Sequence, residues 1–121
     1  MKKHRGVQKI IAALLNSLRG LKFTYQTESA FIQEIILAIL LSPLIFVVNT
    51  SSYEKALLIL SIFIVLIVEV LNSAIEKTID RIGLEHHPLS GKAKDMGSAA
   101  VLLSLIMMVI VWGIIIIPKI F

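Results

Sequence analysis

The stretch MGSAAVLLSLIMMVIVWGIIII, Met96 to Ile117, runs for 22 residues without a charged side chain. As a helix it would be about 33 Å long, enough to cross a hydrocarbon core about 30 Å thick. The whole chain shares that character, with 57% hydrophobic and 17% charged residues in 121 positions and a mean hydropathy of +0.91. A soluble domain of this size would carry more charge, so the bilayer is the expected solvent. There is no cysteine, which excludes a disulfide framework, thiolate metal ligands and a cysteine nucleophile.

Working outward, Pro118 marks the expected end of this span, about 96–117, and Gly83 to Ser90, containing Pro88, reads as the longest non-helical connection. Before it, Lys55 through Val68 forms a second span, and helical periodicity continues past Glu69 to about Arg81. The second helix, about 55–81, is therefore expected to project from the membrane. Asn49-Thr50-Ser51-Ser52 reads as a tight polar turn, and a first span covers about 30–48 with Pro43 inside it. Its uncharged part, Ile35 to Val48, is shorter than a full span, which puts Glu34 near one interface.

From about residue 6 to 27, Val7, Ile10, Ile11, Leu14, Leu15, Leu18 and Leu21 recur on one helical face, with Gln8, Lys9, Asn16, Arg19 and Lys22 opposite. This pattern predicts an amphipathic helix lying in the interface. A cleaved signal peptide would need a continuous apolar core and a small-residue cleavage site, so the first residues are expected to be retained. The fold class is thus all-α: a surface helix and three transmembrane helices in one domain, 1–121.

Lys2, Lys3, Arg5, Lys9, Arg19 and Lys22 precede the first span, and Lys77, Arg81, Lys92 and Lys94 join the second to the third, against Lys55 and Lys119 on the other side. The excess predicts a cytoplasmic amino terminus and 77–95 loop, and an external carboxyl terminus. The net charge of +4 accompanies no nucleic-acid motif, and no nucleic-acid partner is expected.

Glu69 interrupts an apolar helix, and Asn72, Glu76 and Asp80 fall within about 60° of it at 100° per residue. An ionisable group at such depth faces a bundle interior or an aqueous cleft. Three carboxylates crowded in a poorly solvated cleft require a retained proton or a bound cation. Mg2+ is commonly held by one or two carboxylates together with phosphate oxygens, and a carboxylate can take a proton from a hydroxyl. Glu28, at the junction of the surface helix and the first span, offers another oxygen, and Asp95 a helix cap or a second cation ligand. Lys92 and Lys94 suit phosphate neutralisation, although lysines at a cytoplasmic helix end are also the orientation signal itself. Glu85, His86 and His87 are polar groups within reach; the adjacent histidines lack the i, i+4 spacing of a zinc pair. Neither a G-x-x-x-x-G-K-[ST] loop nor G-x-G-x-x-G occurs, so a nucleotide site here would be of another kind.

Glu69-Val70-Leu71-Asn72-Ser73-Ala74-Ile75-Glu76, Asp80-Arg81-Ile82-Gly83 and Leu89-Ser90-Gly91-Lys92-Ala93-Lys94-Asp95-Met96-Gly97-Ser98-Ala99-Ala100 resemble the prokaryotic diacylglycerol kinase family. The resemblance extends to Glu28-Ser29-Ala30-Phe31 and Gln33-Glu34 and covers essentially the whole chain. It implies a homotrimer in the bacterial inner membrane that phosphorylates 1,2-diacyl-sn-glycerol to phosphatidate with MgATP. On matching positions it implies Glu69 as general base with Asn72 orienting the cluster, and Glu28 and Glu76 as Mg2+ ligands. The nucleotide would be met by Lys9, Asn16, Glu28, Glu76, Glu85, His86, His87, Lys94 and Asp95. The lipid would be met by Ala30, Glu34, Glu69, Ser98 and Trp112. The L-N-x-A-I-E helix and His87-Pro88-Leu89 are shared with undecaprenol kinases of the same superfamily, while Asp80-Arg81-Ile82-Gly83 favours the diacylglycerol branch. A non-enzymatic membrane subunit using Glu69 as a proton relay is the alternative of a different class.

Overall fold

The computed structural model describes residues 5–121, so Lys2 and Lys3 of the charge asymmetry lie outside the described residues. Four helices follow one another: α1, Val7–Thr27; α2, Ser29–Val47; α3, Ser52–Ile82; and α4, Pro88–Ile120. No strand occurs among the described residues. Helices α2, α3 and α4 are each long and apolar enough to cross a membrane. In the most apolar stretch of each, at most 33% of the residues are buried, so most of the apolar surface is left for lipid or other chains to cover.

Helix α3 is the centre, touching each of the other three and making its largest interface with α4. Its buried residues, Leu58, Ser61, Val65, Glu69, Asn72, Ser73 and Ile79, recur at helical spacing and form one stripe. The outer half of that stripe is apolar: Leu58 and Val65 pack with Ile45 of α2 and with Met108, Trp112, Ile115 and Ile116 of α4. Trp112 donates its indole N–H to Ser61 Oγ at 3.1 Å, so the one large side chain with a polar edge is satisfied inside the core. Glu54 and Lys119 join α3 to α4 at one end at 3.2 Å, and Asp80 and Lys94 do so at the other at 2.9 Å.

The helix ends differ from the sequence expectations in ways with local causes. Helix α3 starts at Ser52 because Ser51 caps it: Ser51 Oγ accepts from the Glu54 N–H at 3.2 Å while Glu54 Oε1 accepts from the Ser51 N–H at 2.9 Å. Helix α4 starts at Pro88, not near Met96, which shortens the predicted 83–90 connection to Gly83–His87. Proline needs no N–H at the first helical position, and His87 Nδ1 accepts from the Leu89 N–H at 3.1 Å. Asp95 accordingly lies within α4 and does not cap it. Pro118 does not stop α4, which continues to Ile120, and Pro43 lies within a continuous α2. With 31 and 33 residues, α3 and α4 are about 46 and 50 Å long, well beyond a 30 Å hydrocarbon core.

Replacing Ser61 by alanine strands the buried Trp112 N–H. The expected cost is about 1–3 kcal/mol, read as a lowered denaturation midpoint in detergent micelles, with Ser61→Thr retaining most of the stability.

Candidate functional site

The polar half of the α3 stripe begins at Glu69, which is 5% exposed, and continues through Asn72 and Ser73, also buried. Because α3 must turn one face to α2 and α4, the same periodicity that buries Leu58 and Val65 carries these polar groups inward. From α2, Glu34 brings its carboxyl group within hydrogen-bonding reach of Glu69, while Glu28 and Glu76 lie close enough for their charges to act on it. Asn72 Nδ2 donates to Glu76 Oε1 at 3.3 Å. Two buried oxygens in this group, Glu34 Oε2 and Asn72 Oδ1, have no donor. Buried acceptors with no proton or cation to answer them are costly at low dielectric.

Glycine at 97 makes the cluster possible. A β-carbon there would run into Asn72 Oδ1, so the bare backbone at 97 leaves the Asn72 amide its place between α3 and α4. Sequence reasoning placed Gly97 in a motif without a role for it. Its signal lay in having no side chain opposite Asn72, which requires the pairing of α3 with α4 to be known.

Toward the 83–87 connection, Lys94 Nζ holds Asp80 Oδ1 at 2.9 Å. Asp80, Glu85, His86, His87 and Lys94 share a polar cavity of about 260 Å3. Glu28, the one residue between α1 and α2, has an extended backbone (φ −115°, ψ 105°), and its Oε1 accepts from Lys77 Nζ at 2.6 Å. Sequence reasoning missed Lys77 as a member of the site, since its partner is 49 positions away.

The other expected residues are dispersed. Lys9 and Asn16 lie in α1, Asn16 accepting from Arg19, and Asn16 is about 18 Å from Glu28 by helical rise. Ser98 is exposed beside Gly97, and Ala30 is exposed on α2. Asp95 is exposed on α4. Trp112 belongs to the core at the level of Ser61, about 12 Å along α3 from Glu69. Within one chain Lys9, Asn16 and Trp112 are not gathered around the Glu69 cluster.

The donor set suits a hard divalent cation. Glu28, Glu76, Glu34 Oε2 and Asn72 Oδ1 are all oxygen donors, two of them unsatisfied, and Mg2+ takes oxygen ligands in octahedral geometry. Among the described residues, no group of three or more His, Cys, Asp or Glu side chains converges as a closed metal cage. Mg2+ in nucleotide enzymes rarely needs one, because phosphate oxygens and water complete its shell.

Three helices long and apolar enough to cross a membrane, with a buried carboxylate cluster and a polar, lysine-bearing cavity, define a small integral membrane protein with a candidate active site. Residues 15–116 match the family described as prokaryotic diacylglycerol kinase. The chain belongs to that family. Among its relatives, the Haemophilus influenzae diacylglycerol kinase is 45% identical, over 93% of this chain and 96% of the relative. The Escherichia coli K12 diacylglycerol kinase is 47% identical, over 90% and 89%, and that of Pseudomonas aeruginosa is 44% identical, over 93% and 91%. Membership implies a lipid substrate and a nucleotide phosphoryl donor.

Gly97→Ala is expected to push α4 from Asn72 and to lower phosphoryl transfer about tenfold or more, the order expected when a catalytic cluster moves by about 1 Å. Circular dichroism alongside turnover checks that the loss comes with the helical content unchanged.

Proposed function

We propose that this protein phosphorylates 1,2-diacyl-sn-glycerol to phosphatidate with MgATP, by direct in-line transfer at the cytoplasmic face of the inner membrane. The observation that carries the reading is Glu69, a carboxylate 5% exposed on a membrane-crossing helix, facing Glu34 and continuous with Asn72 and Glu76. A buried acid at that depth is too costly in lipid for a packing role alone. Diacylglycerol presents its primary hydroxyl at the same level, just below the headgroups. The names of the relatives support the choice of lipid.

In this mechanism Glu69 accepts the proton of the lipid hydroxyl as that oxygen attacks the γ-phosphorus. The bond from the γ-phosphorus to the β,γ-bridging oxygen breaks, and ADP leaves with the electron pair. Asn72 holds Glu76 through the 3.3 Å hydrogen bond, and Glu28 and Glu76 are the proposed cation ligands. A Mg2+ ion held by them would supply neutralisation of phosphate charge. Lys94 exchanges Asp80 for phosphate, and Asp95, Glu85, His86 and His87 contact the nucleotide from α4 and the 83–87 connection. Catalysis then rests on positioning and charge neutralisation, with no phosphoenzyme.

Lys9, Asn16 and Trp112 stand away from the cluster within a single chain, while Ala30 and Ser98 are exposed on the helices that flank it. Their proposed roles toward nucleotide or lipid are compatible with a homotrimer, in which neighbouring chains complete each site. The exposed apolar residues of α1, from Val7 to Leu21, support its lying in the interface, where amphipathic lipids are admitted. The lysine and arginine excess on the 77–95 side supports a cytoplasmic amino terminus and an external carboxyl terminus.

The test is transfer from labelled MgATP by the purified protein in mixed micelles, with diacylglycerol and undecaprenol offered separately. Labelled phosphatidate is expected, reduced about 100-fold or more by Glu69→Gln. Undecaprenyl phosphate as the only product would overturn the assigned substrate, and no product from either lipid would overturn the assigned activity.

A further inference from the structure

Lys77 follows Glu76 on α3, about 100° round the helix from it, and is turned away from the Asn72–Glu76 pair. Its ammonium reaches to the joint between α1 and α2, where it donates to Glu28 Oε1 at 2.6 Å and stands 5.9 Å from the centroid of the Phe23 ring. The Glu28 side chain is 18% exposed and that of Lys77 46%. The pair closes one end of a mostly apolar groove of about 350 Å3 between α1 and α3, in which Ser73 Oγ is buried without a partner.

Glu28 is thus already paired with a cation supplied by the chain itself. Of the carboxylates gathered here, Glu28 alone accepts from a lysine; Glu76 accepts from an amide, and Glu34 Oε2 from nothing. A divalent ion ligated by the same carboxylate would stand within a few ångströms of the ammonium and be repelled by it. We infer that Lys77 is the resident counter-cation of Glu28. It is a positioning residue that holds the carboxylate at the cluster between turnovers and yields it when Glu28 takes up a ligand role, so that Lys77 sets how much divalent cation the site requires. This rests on the reading of Glu28 as a cation ligand. Lys77 is nearly half exposed, so the effect is limited to the range of solvent-screened pairs, a factor of about two to five.

The test is binding of Mn2+, an oxygen-seeking stand-in for Mg2+, to the purified protein in micelles without nucleotide, followed by the electron paramagnetic resonance of free Mn2+. Lys77→Met, which keeps the apolar stem beside Phe23, is expected to lower the Mn2+ concentration for half-saturation about two- to fivefold. Lys77→Gln, a second neutral variant, should do the same, while Lys77→Arg should bind as the unaltered protein does. Glu28→Gln should weaken binding, and adding Lys77→Met to it should produce no tightening. Unchanged or weaker binding in both neutral variants, with Glu28→Gln still impaired, would overturn the role of Lys77 alone. Unimpaired binding in Glu28→Gln would overturn the ligand role of Glu28 and the inference with it.

Discussion

Inside a bilayer no water is available to satisfy a polar group, so each one buried among the spans must be answered by another part of the protein. Glu69 concentrates that constraint in one side chain. Around it α2 carries Glu34 at the facing level, Asn72 and Glu76 follow on the same face of α3, and α4 is bare at Gly97 opposite Asn72. The cluster still lacks donors for Glu34 Oε2 and Asn72 Oδ1. Among buried acids and amides, such a deficit marks where a ligand's charge belongs.

The rest of the molecule is economical around this point. A chain of four helices has little interior: one apolar cluster from Ile45, Leu58, Val65, Met108, Trp112, Ile115 and Ile116 holds together the half nearer the α2–α3 turn. The half nearer the 83–87 connection relies on polar contacts, with Asp80–Lys94 and Glu28–Lys77 joining helices at 2.9 and 2.6 Å. The division suits the chemistry, since exposed ion pairs are weak enough to be exchanged for phosphate or a metal ion, whereas a packed core is not easily rearranged.

Much of this was legible before any coordinates. Runs such as Met96 to Ile117 announce membrane helices by length, and Glu69, Asn72, Glu76 and Asp80 fall on one stripe by helical arithmetic alone. What escaped falls into two physical kinds. Helix starts were set too late because Pro88 reads as a breaker when followed forward but is favourable at a first helical position, and because Ser51 was taken as a turn residue instead of one half of a reciprocal cap with Glu54. Partnerships across helices were invisible for a different reason. Trp112 with Ser61 and Lys77 with Glu28 lie 51 and 49 positions apart, and no local pattern records which faces of two helices will meet.

Helix α3 runs unbroken for 31 residues, with its core-forming and ligand-facing positions on the same stripe, and this locks the two in phase. A single residue inserted between Val65 and Glu69 would turn everything beyond it by about 100° relative to everything before it. If Leu58 and Val65 kept their places, the carboxylates would swing toward lipid; if Glu69 kept its place, the apolar core would come apart. No glycine or proline occurs in α3 to absorb the rotation. Length variation in this helix is therefore confined to its ends, and the interval between its packing residues and its acid is a fixed dimension of the protein, as rigid a requirement as the identity of Glu69 itself.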